Sequence, residues 1–348
     1  MVTSLHSLPV ELVCQIVDYL DIPDISNLRL VCRDLHSKTF DTFAKQFFTM
    51  KQFMLSRFSL QALTDISQHK TLSPYMQRII IGTDYVSDPA NKRDHEYSEK
   101  ASSNIDVIRL KRAHSRFFAE QEYMWNLGVH ARMLSAALKG FRNCHTIEIR
   151  DYNCRRARDG KEWRSYGAHK IKAETGFFPL RTGPESRDEP IATQMFTAVV
   201  SAAVAAGFPL NSLLVTFLNG PVWDRDGMLP HAFYIPPDLA VEYEAVLEQL
   251  DTLTLAVRTQ ADEVPFTLEL CSFLCLACNL TSLRLNLQGR FGGDYFIESL
   301  DPIVLPSITR LELGYCLVAE EILICKQRND VKQCDRSDGT SLFARIGT

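Results

Sequence analysis

Three stretches share one spacing: LDTLTL at 250–255, LTSLRL at 280–285 and ITRLEL at 308–313. Each holds apolar residues at its first, fourth and sixth positions, and side chains alternate across an extended strand, so the fourth and sixth point the same way. The template recurs upstream at Leu210/Leu213/Val215 and Cys144/Ile147/Ile149. Its last three copies start 30 and 28 residues apart, and insertions lengthen the earlier gaps to 66 and 40. Helical patterns precede four copies: VHARMLSAALKGF (129–141), ATQMFTAVVSAAVAAG (192–207), PDLAVEYEAVLEQL (237–250) and FTLELCSFLCLACN (266–279).

One strand and one helix cannot bury their own apolar face, so neighbouring units must stack. The expected fold class is α/β, with a parallel sheet backed by helices and stacked as an irregular solenoid over 105–325. A plainer α/β domain with fortuitous leucine alternation is the alternative. A further helix is expected over 105–127, with Ile105, Ile108, Phe117 and Met124 among its apolar positions. The tail 326–348 is polar and aperiodic, and is expected to be irregular and to leave the strand near Leu311 poorly covered.

At the other end, Leu8, Leu12, Val13, Ile16, Val17 and Leu20 recur at helical spacing, with Ser7 placed as a cap and Pro9 in the first turn. Ile22-Pro23-Asp24 reads as a stop, Asp24 as the cap of a second helix carrying Ile25, Leu28, Val31, Cys32 and Leu35, and Phe40, Phe43, Phe47 and Phe48 as a third. Three helices in so short a span bury little area, so the unit is expected to lean on a partner or neighbouring domain. Residues 51–104 read as a helical connection followed by a flexible polar linker (83–104).

LPVELVCQIVDYL (8–20) followed by DISNLRLVCRDL (24–35) resembles the F-box, over about residues 5 to 48. Leu-Arg-Leu-Val-Cys-Arg is its most specific part, and Leu35 departs from it where the family often carries tryptophan or another aromatic. The resemblance implies a three-helix domain (1–50) in which Leu8, Pro9, Leu12, Ile16, Leu20, Ile25, Leu28, Val31 and Cys32 form or support the surface for the Skp-type adaptor of an SCF (Skp, cullin, F-box) ligase. The downstream pattern is similar to the degenerate leucine-rich repeats that commonly follow an F-box in fungal proteins, although the asparagine or cysteine step of that consensus is mostly missing.

Composition sets limits. With 38 basic and 42 acidic residues the formal charge is −4, which gives no global field drawing the molecule to nucleic acid or an anionic membrane. The longest apolar run, Ala198–Phe208, is far short of the ~20 residues that cross a bilayer. No secretory leader is read at the N-terminus, so the cytoplasm or nucleus is the expected location. The ten scattered cysteines read as free, mostly buried thiols. Cys271, Cys275 and Cys278 fall on one helical face, and core thiols are the expected role there, with no metal. GxxxxGK[ST], GxSxG and HExxH motifs are lacking, so neither a cofactor nor catalysis is expected.

Two insertions carry interface chemistry. RDYNCRRARDGKEWRSYGAHKIK (150–172) sets Arg150, Arg155, Arg156, Arg158, Lys161, Arg164, Lys170 and Lys172 around Trp163 and Tyr166. It reads as a grip for an acidic or phosphorylated segment, or as a solvated mobile loop. NGPVWDRDGMLPHAFYIPPD (219–238) presents Trp223, Phe233 and Tyr234, as hot-spot rings or as rings packed down over the sheet. The expected function is therefore a non-catalytic substrate receptor. The F-box resemblance implies binding of the adaptor and, through it, a cullin, and the repeats with Arg155, Arg156, Arg158, Trp163, Trp223 and Tyr234 are expected to hold a target protein. A scaffold that binds the adaptor without delivering a target is the runner-up, and nucleic acid the weaker partner.

Overall fold

A computed structural model of the chain describes residues 5–20, 22–92, 94–155, 162–180, 191–217, 227–258, 266–288, 307–314, 331–333, 341–342 and 344–346. The chain opens with three helices, α1 (Val10–Val17), α2 (Ile22–Val31) and α3 (Arg33–Phe48). Val13, Val17, Ile25, Leu35 and Phe47 close a small core of their own, with Leu8, Leu20, Leu28 and Phe43 packed on it. Leu35 is buried, so leucine fills the place of the family's aromatic. Pro9 rather than Ser7 stands at the start of α1, with no side-chain cap. Pro23 lies in the first turn of α2, where its missing amide costs nothing, so it opens that helix instead of separating two.

Seven strands then pair in parallel and in chain order: β1 (Met50–Met54), β2 (Arg78–Gly82), β3 (Thr146–Arg150), β6 (Ser212–Thr216), β7 (Thr252–Arg258), β8 (Ser282–Gln288) and β9 (Arg310–Gly314). The small hairpin β4 (Cys154–Arg155)/β5 (Glu162–Trp163) branches off after β3. Lys51, Ile79, Ile147, Leu213, Leu253, Leu283 and Leu311 fall in one register row. All five strands expected from the template are present with their fourth positions aligned. Two further copies, Met76/Ile79/Ile81 and Phe48/Lys51/Phe53, lead the sheet.

The helices between strands pack side by side: α4 (Arg57–Gln68) on α7 (Val129–Leu138), α7 on α9 (Ile191–Ala206), α9 on α10 (Ala240–Leu247), and α10 on α11 (Phe266–Leu276). One continuous core runs from Phe53 to Leu313. Strand starts repeat a single backbone motif. The carbonyls of Thr49, His145, Asn211, Asp251 and Thr281 each accept two consecutive amides from the start of the next strand, Thr49 from Gln77 and Arg78, and Thr281 from Thr309 and Arg310.

The stretch 51–104, expected to be a connection and a flexible linker, instead supplies β1, α4 and β2. Thr83–Ser87 are buried behind β2, and α5 (Asp94–Ser98) buries Tyr97 against α6 (Asn104–Asn126). The buried backbone there is satisfied from α6, where Gln121 bonds both backbone groups of Val86, so a polar composition does not by itself mark a solvated linker. Ile105 and Ile108, by contrast, lie on the exposed side of α6. The tail, expected to be irregular, contributes β11 (Ser341–Leu342), antiparallel to β9, and pairs β10 (Val331–Gln333) with β12 (Ala344–Ile346). Of the six cysteines whose burial is described only Cys144 is buried; Cys275 and Cys278, a Cys-x-x-Cys pair, are exposed, which overturns the core role read for that face. No helix among the described residues is long and apolar enough to cross a membrane.

If β1 belongs to the main core, Phe53→Ala should cost about 3–5 kcal/mol in urea unfolding, as large-to-small changes in packed cores do. A cost below about 1 kcal/mol would place residues 51–54 outside the cooperative unit.

Candidate functional site

The sequence LRLVCR (28–33) resolves into separate physical jobs. Leu28 supports the helical core. Arg29 turns inward, its guanidinium 3.5 Å from the Phe43 ring centroid, and burial lowers its pKa. Leu30 and Val31 are left 83% and 70% exposed at the end of α2. Cys32 adopts extended backbone and starts α3. Two adjacent large aliphatic side chains in water on a helix end form an exposed apolar patch of the kind a partner can cover.

Lys38 joins the helices at the other end of the unit. Its Nζ donates to the Leu8 carbonyl at 3.1 Å and pairs with Asp34 at 2.8 Å, tying α3 to the turn before α1. Among the residues that the family resemblance points to, Leu12 (45%) and Val31 are exposed, together with Pro9. Leu8, Ile16, Leu20, Leu28 and Cys32 are half-buried and Ile25 is fully buried, so these support the surface more than they present it. Leu30 and Tyr19 (85% exposed) were not read from the sequence as surface residues. Helical spacing finds an apolar stripe but cannot say which stripe faces a partner when apolar residues run all round a helix.

A second site crosses the leading strands, from Arg78 at the start of β2 through Gln52 and Glu148 in the middle of β1 and β3 to Arg150 at the end of β3. Glu148 receives Arg150 Nη1 and the Tyr152 hydroxyl on Oε1, both at 3.3 Å, and Arg78 Nη1 on Oε2 at 3.4 Å. Arg150 also grips Gln52 Oε1 through Nε (3.1 Å) and Nη2 (2.8 Å). Gln52 Nε2 donates to Ser165 Oγ at 3.0 Å, and Ser165 donates in turn to Asp84. Charges this deeply buried persist because they are paired and hydrogen-bonded. Gly82 is required beneath them: a Cβ there would strike Ser165 Oγ and lie 2.6 Å from Gln52 Nε2.

This chain of bonds fastens the insertion after β3 across the leading strands. The Tyr166 amide donates to the Gln52 carbonyl at 2.8 Å, closing the free edge of β1, and the Tyr166 ring stacks on Phe58. Arg150, expected in a basic loop, is therefore a buried structural residue. Arg164 and Lys172 lie over the Phe178 ring at 3.8 and 4.2 Å. Arg155 and Trp163 fall in the β4/β5 hairpin, while Arg156, Arg158 and Trp223 lie outside the described residues. From the second insertion, Phe233 packs into the core against Phe196 and Phe273, whereas Tyr234 is exposed. Because β3 and β6 are parallel neighbours, both insertions leave from the same edge of the sheet. No group of three or more metal-ligating side chains occurs among the described residues.

The double variant Leu30→Asp/Val31→Asp should keep the wild-type melting temperature within the scatter of surface changes, about ±0.5 kcal/mol per site, yet lose adaptor capture in a pull-down. Ile25→Ala should instead lower stability by about 2–5 kcal/mol. Full adaptor capture by the double aspartate variant would remove this surface from the contact.

Residues 5–49 match the family model described as F-box-like. No curated protein matches the chain. F-box domains bind Skp-type adaptors in SCF-type complexes, and the three N-terminal helices, with Leu30 and Val31 facing water, are such a domain.

Proposed function

We propose that this chain is the substrate-recognition subunit of an SCF-type E3 ubiquitin ligase. Its F-box binds the adaptor and through it a cullin, and the sheet domain, a degenerate leucine-rich-repeat-like stack, captures a target protein. The observation that carries this proposal is the join between the two parts: only Thr49 separates α3 from β1, and its carbonyl is the first member of the repeating strand-start motif. An adaptor held by α1 and α2 and a target held at the sheet's C-terminal rim would thereby keep a fixed separation.

Transfer of ubiquitin would then be accelerated by holding the target near the ligase, with no chemistry contributed by side chains of this chain. The two insertions sharing the rim, with Arg155, Arg156, Arg158, Trp163, Trp223 and Tyr234, are the natural candidates for target contact, since arginines and aromatic rings dominate interface energetics. A scaffold that binds the adaptor and delivers nothing uses the same surfaces, and target turnover separates the two.

The test is affinity purification from a eukaryotic extract of wild type and of Leu30→Asp/Val31→Asp, followed by decay of the co-purifying proteins after translation is blocked. A receptor retains adaptor and cullin in wild type only, and at least one co-purifying protein decays more slowly when the variant replaces it. Retention of adaptor with unchanged decay of every co-purifying protein would leave only the scaffold, and absence of the adaptor would remove both.

A further inference from the structure

Two helices outside the adaptor surface carry opposite charge. In α6 the run 107–119 holds Arg109, Lys111, Arg112 and Arg116 and no acidic residue. The run 228–250, which contains α10, holds Asp238, Glu242, Glu244 and Glu248 and neither lysine nor arginine. With 38 basic and 42 acidic residues the chain as a whole is close to balanced, so these are local concentrations of charge.

On both helices the charges share an outward face with aliphatic side chains. Residues at i, i+3, i+4 and i+7 line one face of a helix. On α6 that face reads Ile105, Ile108, Arg109 and Arg112, all exposed, with Ile105 79% and Ile108 61% accessible. On α10 it reads Val241, Glu244, Ala245 and Glu248, again all exposed, with Val241 75% accessible. Tyr243, Val246 and Leu247 fix the other side of α10 in the core, and Val241 takes no part in that packing.

Both rows run against helix stability. Like charges at i and i+4, as in Arg112/Arg116 and Glu244/Glu248, repel and weaken a helix. Glu244 and Glu248 also lie in and just past the last turn of α10, where the helix dipole disfavours anions, and that turn holds no basic residue to offset them. Arg116 is held by Glu174 of α8 (Ala168–Thr175). Arg109, Arg112, Glu244 and Glu248 have neither a side-chain hydrogen bond nor an ion pair among the described residues.

Exposed aliphatic groups beside unpaired charges suit a partner that carries aliphatic groups and the opposite charges at the same spacing. Each of these faces meets that description for the other. Laid side by side in one direction, they set Ile105 against Val241, and Arg109 and Arg112 against Glu244 and Glu248. Both are exposed, so they do not meet within one molecule. Nucleic acid or an anionic membrane would use the basic row and leave the acidic one unanswered.

We propose that the chain self-associates, the basic face of α6 in one copy docking on the acidic face of α10 in a second copy. Leu30 and Val31 belong to neither face, and the proposal stands apart from the receptor function.

The experiment is sedimentation equilibrium of the full chain over about 1 to 100 µM. The mass should rise above 39.5 kDa with concentration, and association should weaken about tenfold or more between about 50 and 500 mM salt, because exposed charges are screened. Arg109→Glu/Arg112→Glu and Glu244→Arg/Glu248→Arg should each stay at 39.5 kDa, since each sets like charges face to face. An equimolar mixture of the two variants should associate again, because the reversed faces complement one another across the pair. All four positions are exposed, and recovery in the mixture excludes misfolding as the cause of the loss. Wild type that stays at 39.5 kDa throughout overturns the proposal and leaves the basic face to a foreign acidic partner or an anionic lipid. Association that survives either reversal, or a mixture that stays monomeric, overturns it as well.

Discussion

The carbonyl of Thr49 accepts hydrogen bonds from the amides of Gln77 and Arg78, 3.0 and 3.1 Å away, and the spatial order of the molecule hangs on this bond pair. Thr49 ends the last helix of the F-box-like domain and stands one residue before the first strand. The same two-amide motif returns at four later strand starts, so the adaptor-binding helices are joined to the sheet in the way that its units are joined to one another. Side chains reinforce the joint: the Tyr75 hydroxyl donates to Asp41 at 2.9 Å, and Lys51 is enclosed between Phe48 and Tyr166, burial lowering its pKa. A core of five buried residues could hardly persist alone, and here it need not.

From that joint the leading strands acquire a load the later ones lack. The Gln52, Glu148 and Arg150 cluster spans the middle of β1 and the second half of β3 and ties down the segment from Ser165 to Tyr166. Burying such groups is costly unless they are bonded, and the bonds among Gln52, Glu148, Arg150 and Ser165 hold the insertion after β3 against the sheet. Side chains near the first three strands thus shape a rim, while β7, β8 and β9 start only 30 and 28 residues apart.

Much of this architecture was legible in the sequence. Leucine alternation located five strands and their mutual register, because a parallel strand buried on its helix side needs apolar residues at fixed positions. The LRLVCR run located the F-box-like domain. The first two strands escaped notice although Met76/Ile79/Ile81 fits the template, since the third apolar residue Ile80 hides the alternation and Lys51 breaks it. The buried polar cluster had no signature at all. Gln52 and Ser165 meet across 113 residues, a contact that only the fold creates. Leu30, too, could be recognised as surface only once Arg29 was seen to turn onto Phe43.

The fixed relation between helices and sheet is most directly measured by electron–electron distances between spin labels at Tyr19→Cys and Arg310→Cys, both exposed sites, in a background with Cys275 and Cys278 replaced by serine. A joint made through Thr49 predicts one narrow distance distribution, unchanged when the adaptor is bound. A broad distribution that narrows only on adaptor binding would show the two parts to be hinged, and would contradict the account of this molecule as a single rigid bridge.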